Sequence, residues 1–136
     1  MPGGIAFDSA QSYAAFAAIK FVGYSLSTLY FNRRFVTSDA NPIVFGLTRT
    51  ALGMSVGAIA GLIGLIEMEM ALLFFMTALI PFRIGEWLLM LWLFYRKAEN
   101  FRVRLADTIA LAVVWSFILD LPAAIGYIAT GGFWIC

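Results

Sequence analysis

Apolar residues run through this chain in four long stretches, each interrupted by only a few polar positions. The stretches cover residues 12–31, 43–66, 70–95 and 105–128. A helix needs about 20 mainly apolar residues to cross the hydrocarbon of a bilayer. The stretches are too long and too uniformly apolar for the alternating strands of a membrane barrel. The pattern therefore predicts an all-α fold: a polytopic membrane protein built as a four-helix transmembrane bundle, in a single domain covering residues 1–136.

Composition strengthens this prediction. The chain is 62% hydrophobic and only 12% charged, with a mean hydropathy of +0.91, whereas soluble domains are about half apolar and about a quarter charged.

The first stretch is the weakest of the four because Lys20 lies inside it. The third stretch is longer than a bilayer requires and contains Pro81, which predicts a tilted or kinked helix.

Basic residues are confined to two of the three connections. The connection between the second and third stretches and both terminal segments contain no Lys or Arg. Because cytoplasmic loops of membrane proteins are enriched in Lys and Arg, we expect loops 32–42 and 96–104 in the cytoplasm and both the N- and C-termini outside it. We expect the membrane to be a bacterial inner membrane. The basic residues of the two loops are Arg33, Arg34, Arg96, Lys97, Arg102 and Arg104.

The second stretch carries a row of small residues at helical spacing. Such rows let two helix backbones approach closely, so we expect a helix-packing face here. The neighbour is either another helix of the same chain or a second copy. The row consists of Gly46, Thr50, Gly53, Gly57 and Gly61.

Five ionisable residues lie inside the apolar stretches: Lys20, Arg49, Arg83, Glu86 and Asp120. Each costs about 2.5–3.5 kcal/mol at the centre of a membrane helix, so they should be paired. Their depths, at about 1.5 Å per helical residue, favour Lys20 or Arg83 with Asp120 and Arg49 or Arg83 with Glu86. Arg83 and Glu86 are also close enough along one helix to touch. Arg49 is near enough to the cytoplasmic side to reach the interface with its side chain.

Neutral polar residues share the helix faces of these charges. Tyr24 follows Lys20 on the first stretch, and Ser116 and Tyr127 flank Asp120 on the fourth. We expect the two polar faces to meet. The predicted intramembrane polar centre is built from the first, third and fourth helices, with the second helix packed beside it. Its candidate members are Lys20, Tyr24, Arg49, Arg83, Glu86, Ser116, Asp120 and Tyr127.

Several kinds of chemistry lack the residues they need. The chain has no His, which excludes a Ser-His-Asp triad and imidazole metal sites. Its only cysteine is Cys136, so no internal disulfide is possible. No phosphate-binding or dinucleotide-binding glycine motif appears, and a net charge of +1 gives no attraction to nucleic acid. We therefore expect no catalytic residue, no cofactor, no metal and no nucleic-acid partner.

Three functions fit these features. The leading prediction is a non-enzymatic bundle that associates with itself or with another membrane subunit and whose ion pairs fix helix packing. The alternative is a carrier or channel for a small solute or ion, in which Glu86 or Asp120 binds the cargo and Arg83 or Lys20 is the counter-charge. The third is an enzyme that binds a lipid headgroup through Arg49 and Arg83. Besides the lipid bilayer, an anionic lipid or solute is an expected ligand, because three embedded cations face two carboxylates.

Overall fold

The computed structural model describes residues 5–37, 39–62, 77 and 79–130, with side chains for 14–37, 39–56, 58–59, 77, 79–122 and 125. These residues form four α-helices, α1 (Ile5–Arg34), α2 (Pro42–Leu62), α3 (Ile80–Tyr95) and α4 (Phe101–Thr130), and include no strand. The predicted all-α fold is confirmed for this part of the chain. Helix α1 begins earlier than the first apolar stretch, and residues 63–76 and 78 of the second and third stretches lie outside the described residues.

Two of the four helices could cross a membrane by length and composition. They are the 21-residue segment Ala14–Arg34 in α1 and the 22-residue segment Phe101–Pro122 in α4. A core helix of a soluble protein or a signal sequence can have the same length and composition, but a soluble core helix is mostly buried. Only 33% of the apolar window in each of these two helices is buried inside the chain. For α2 and α3, a membrane span is a prediction from the sequence alone.

The connection between α1 and α2 is held by two asparagines. The Asn32 side chain donates to the carbonyl of Ala40 at 2.9 Å and accepts from its amide at 2.9 Å. Asn41 caps α2, because its Oδ1 accepts from the amide of Ile43 at 2.9 Å. Pro42 follows as the first helical residue, where a missing amide hydrogen costs nothing. These contacts turn the chain sharply enough for α2 to pack against α1.

Pro81 lies at the start of α3. Its position next to Ile80 puts it in the first helical turn, where proline is well accommodated because the amides there have no intrahelical acceptor. The predicted tilt or kink at Pro81 concerns a helix that begins at residue 70, and residues 70–76 and 78 lie outside the described residues, so it stays a prediction. The other embedded proline, Pro122, lies inside α4.

The helices pair as two hairpins. The most extensive backbone contact is between α1 and α2, which we call the first hairpin, followed by that between α3 and α4, the second hairpin. The hairpins meet through smaller contacts of α1 with α4 and of α2 with α3. We call this boundary the seam. It is where most of the polar contacts between helices are found.

Two glycines allow close approach between helices. A Cβ on Gly46 would lie 2.1 Å from Ser25 Oγ and 3.0 Å from the Phe21 carbonyl oxygen, so this position of α2 sits directly on α1. Gly23 of α1 instead makes room for a side chain of α4, because a Cβ there would collide with Leu119 Cδ2 and Cδ1. The sequence analysis did not single out Gly23.

The rest of the predicted packing face behaves differently. A Cβ on Gly53 would meet only Arg49 Nη1 of its own helix, at 3.3 Å, and Thr50 is half-buried. Gly57 and Gly61 belong to α2, but their surroundings lie outside the described residues. Of the row of small residues, Gly46 is therefore the one seen to serve a helix contact.

Aromatic side chains fill the part of the bundle between the embedded charges and the end that carries the α1–α2 and α3–α4 connections. Phe35 stacks on Tyr95 with ring centroids 4.8 Å apart, and Tyr24 meets Trp87 edge to face at 5.6 Å. Tyr95 is fully buried. This core consists mainly of Tyr24, Phe31, Phe35, Phe45, Trp87 and Tyr95.

Candidate functional site

Asp120 joins three helices through one carboxylate. Its Oδ1 pairs with Lys20 Nζ of α1, and its Oδ2 accepts a hydrogen bond from Arg83 Nη2 of α3. All three side chains are at most 7% exposed. From their depth along the helices, either Lys20 or Arg83 was expected to pair with Asp120. In the structure both residues pair with it.

Arg49 of α2 pairs with Glu86 of α3 across the seam. Its Nη2 donates to Glu86 Oε2 at 2.6 Å. The Arg49 side chain is 1% exposed, and its Cζ lies 4.9 Å from the ring centroid of Tyr24 and 5.0 Å from that of Trp87. Of the alternatives for Arg49, the structure has the ion pair with Glu86 and not an extension to the interface, and the two rings add cation–π contacts. The polar centre includes α2 and is not limited to three helices.

Arg83 and Glu86 lie on one face of α3 but bind different partners. Arg83 turns towards α4, where it pairs with Asp120 and lies 4.9 Å from the Phe117 ring centroid. Glu86 turns towards Arg49 of α2. Spacing along a helix sets which side chains can meet, but here stronger partners on neighbouring helices decide the pairing.

Neutral groups link the two ion-paired sets. Lys20 Nζ lies 3.3 Å from Tyr24 Oη, to which it donates, and Trp87 Nε1 donates to Ser116 Oγ at 2.7 Å. Because Tyr24 and Trp87 also contact Arg49, the charges and neutral groups form one connected network. The structure thus brings together every predicted member of the polar centre except Tyr127, whose side chain lies outside the described residues.

Sequence reasoning missed the tryptophans at the seam. Trp87 is fully buried and contacts Arg49, Tyr24 and Ser116 at once. Its position four residues after Arg83, on the same helix face, was the available signal. Trp115 of α4 donates from Nε1 to the Gly23 carbonyl of α1 at 3.1 Å, and nothing in the sequence pattern distinguishes it from a lipid-facing aromatic residue.

Both guanidinium groups of the network keep unused donors. Among the buried side chains that the structure describes, Arg49 Nε, Arg49 Nη1 and Arg83 Nε have no hydrogen-bond partner. The hydroxyls of Ser25 and Thr50 are also unpaired. Within these residues three cations face the carboxylates of Glu86 and Asp120. The network therefore has spare donors and a surplus of one positive charge.

A second polar cluster joins the α1–α2 connection to the α3–α4 connection and to the first turns of α4. Arg34 pairs with Asp107 and donates from Nε to Thr108 Oγ1 at 2.9 Å. Asn100 donates to the Arg34 carbonyl at 2.9 Å and accepts from the Val36 amide at 3.0 Å. These contacts hold the loops after α1 and α3 against each other. Of this cluster, only Arg34 was singled out from the sequence, as a basic loop residue.

No family model, curated protein or solved structure matches this chain. Within the described residues, no group of three Cys, Asp or Glu side chains is arranged to hold a metal ion.

Proposed function

We propose that this chain is a small integral membrane protein with four spans and no enzymatic activity. In this proposal the buried ion pairs hold the two hairpins together, and the outward apolar surface associates with a second copy or with another membrane subunit. The observation that carries the proposal is the mutual pairing of embedded charges inside a bundle whose described residues turn many large apolar side chains outward. These charges are Lys20, Arg49, Arg83, Glu86 and Asp120.

The distribution of polarity is the reverse of that in a water-soluble domain. Lys20, Arg83 and Asp120 are 4–5% exposed, while large aliphatic side chains such as Val22 at 53% and Ile125 at 63% face outward. In water this arrangement would lose the hydration of the charges without burying the aliphatic surface. In a bilayer the aliphatic surface contacts lipid and the charges must turn inward and pair. The arrangement therefore supports membrane insertion of all four helices.

The exposed basic residues support the predicted orientation. The contact of Asn100 with the Arg34 carbonyl places the loop after α1 and the loop after α3 at the same end of the bundle. A basic end of this kind is typical of the cytoplasmic side. The exposed cations of these loops and the first turn of α4 are Arg33, Arg96, Lys97, Arg102 and Arg104.

The pairing pattern favours a packing role over transport. Both embedded carboxylates are bound by cations from other helices, and two of the ion pairs, Lys20 with Asp120 and Arg49 with Glu86, cross the seam. Losing one partner of a buried pair typically costs about 3–5 kcal/mol. Each pair therefore penalises separation or misalignment of the hairpins.

Membrane insertion is tested by alkaline extraction and by labelling of single cysteines. The protein should stay in the membrane pellet at high pH, and release into the supernatant would contradict the proposal. In a Cys136→Ser background, Lys97→Cys should react with an impermeant maleimide only from the cytoplasmic side. Wild-type Cys136 should react only from the opposite side, because the sequence predicts that the C-terminus lies there.

The packing role is tested with Glu86→Gln, which removes the charge that pairs with Arg49. We expect the melting temperature of the detergent-solubilised protein to fall by about 5 °C or more. Glu99→Gln, at an exposed position after α3, is the matched control and should melt like wild type. We also expect wild-type proteoliposomes to leak protons and solutes no faster than protein-free liposomes. A Glu86→Gln variant that melts normally but loses a measurable wild-type flux would favour the carrier instead.

A further inference from the structure

Arg49 has more hydrogen-bond donors than the described residues use. Its Nη2 donates to Glu86, but Nε and Nη1 have no partner although the side chain is 1% exposed. These two nitrogens carry three of the five N–H bonds of a guanidinium. Buried N–H groups without an acceptor are unfavourable, and more so on a charged group. An additional hydrogen-bond acceptor near Nε and Nη1 would therefore stabilise the buried Arg49 guanidinium.

The charge of the network indicates what kind of acceptor fits. Lys20 and Arg83 share the single carboxylate of Asp120, and the one described carboxylate paired with Arg49 is that of Glu86. The set thus has one positive charge more than its carboxylates neutralise. Because Coulomb energies are large where water is excluded, one monovalent anion would be attracted strongly. Arg83, whose Nε is also unpaired, lies about one helical turn from Glu86 on α3 and adds to that attraction.

The surroundings of Nη1 limit the size of the anion. Gly53 has no side chain, which leaves space beside Nη1: a Cβ at this position would lie 3.3 Å from that nitrogen. The rings of Tyr24 and Trp87 lie 4.9 and 5.0 Å from the Arg49 Cζ. With 1% of the side chain exposed, a phospholipid headgroup or a bulky organic acid cannot reach these donors. A compact ion can.

We propose that Arg49, at its free Nε and Nη1 donors beside Gly53, binds a compact monovalent anion of the class of chloride. The anion balances the surplus charge of the network and completes the hydrogen bonding of the guanidinium. The proposal uses the same buried charges as the packing role, but it depends on neither membrane orientation nor assembly. It assigns a ligand to a group that would otherwise serve only as half of an ion pair.

The proposal is tested by melting the full-length protein in detergent while sodium gluconate is replaced by sodium chloride at constant ionic strength. We expect the melting temperature to rise with chloride and to reach a plateau, because a ligand that binds only the folded state stabilises it. Gly53→Ala should weaken the apparent chloride affinity by about tenfold or more, since its methyl group crowds Nη1. Gly85→Ala is the matched control, because a Cβ there meets nothing within 4 Å.

Two results would overturn the proposal. One is equal melting of wild type in the two salts, which is the result expected if only water satisfies Arg49. The other is a Gly53→Ala variant that responds to chloride as Gly85→Ala does. If Gly53→Ala fails to fold, Arg49→Lys replaces it, since it keeps the charge opposite Glu86 but removes the guanidinium. Loss of the chloride response in that variant supports the site, and an unchanged response contradicts it.

Direct binding gives a second readout. Equilibrium binding of radioactive chloride should saturate at one ion per chain, with competition by bromide and none by gluconate. Absence of saturable binding would reject the anion site. The packing role would still stand in that case if Glu86→Gln lowered the melting temperature, so the two proposals can fail separately.

Discussion

Asp120 is the residue on which the network depends most. Its two oxygens neutralise cations from two other helices, Lys20 of α1 and Arg83 of α3, and its side chain is only 7% exposed. Glu86, by comparison, meets the single cation of Arg49 and is 12% exposed. A change at Asp120 therefore leaves two buried cations without a carboxylate partner, whereas a change at Glu86 leaves one.

Asp120→Asn should destabilise the protein by about 3–5 kcal/mol, because an uncompensated buried charge is expensive. Denaturant or thermal unfolding in detergent measures the change. The control is Asp107→Asn on the same helix. The Asp107 side chain is 49% exposed, so its ion pair with Arg34 should contribute less than about 1 kcal/mol to stability. Equal effects of the two substitutions would argue against a structural role for the buried network.

At the level of the helices, the two hairpins are held together in different ways. Within the first hairpin, α1 and α2 approach so closely that Gly46 sits against the Phe21 carbonyl of the neighbouring backbone. Across the seam, contacts are fewer and rely on ion pairs and on hydrogen bonds such as that from Trp115 to Gly23. Close packing thus forms the hairpin, and polar contacts position one hairpin against the other.

Gly46→Ala should be destabilising by about 1–3 kcal/mol, because the added methyl group collides with Ser25 and with the Phe21 backbone. This cost exceeds the roughly 0.5–1 kcal/mol that alanine gains over glycine in a helix. At Gly85 of α3 an added Cβ meets no atom within 4 Å. Gly85→Ala should therefore show only the stabilisation that alanine brings to a helix. Melting curves of the two variants in the same detergent compare them directly, and a stabilised Gly46→Ala variant would contradict the close approach of α1 and α2.

At the scale of the molecule, the described residues turn many large apolar side chains outward around a charged interior. Exposed large side chains occur on every helix, including Leu26 of α1, Leu47 of α2, Leu93 of α3 and Val114 of α4. Such a surface supports the proposed contact with the hydrocarbon of a bilayer or with the apolar face of another membrane helix. The position of an outward residue along the bundle should therefore determine how well it tolerates charge.

Val114→Lys places a cation on the outward face in the middle of α4, where Val114 is 57% exposed. We expect a penalty of about 2.5–3.5 kcal/mol on insertion, seen as a loss of folded protein from the membrane fraction. Val103→Lys, 81% exposed near the basic end of the same helix, should insert normally. In a water-soluble bundle the opposite would hold, and Val114→Lys would be neutral or would improve solubility.

Reading along the chain is enough to place the helices and the charges. Runs of apolar residues predict helices because backbone groups that leave water must bond within their own segment, and the structure confirms helices in all four regions where it describes them. Embedded charges such as Lys20 and Asp120 must find partners for a similar reason, since hydrocarbon offers none. Both conclusions follow from local composition and need no knowledge of neighbouring helices.

Only the tertiary structure decides which partners meet. Arg83 and Glu86 are within reach of each other on α3, yet Asp120 and Arg49 take them because those groups approach from adjoining helices. Gly46 and Gly53 occupy one small-residue row, but only Gly46 meets α1. The order of the helices around the bundle and the rotation of each about its axis set these outcomes, and neither quantity is encoded in the spacing of residues along a single helix.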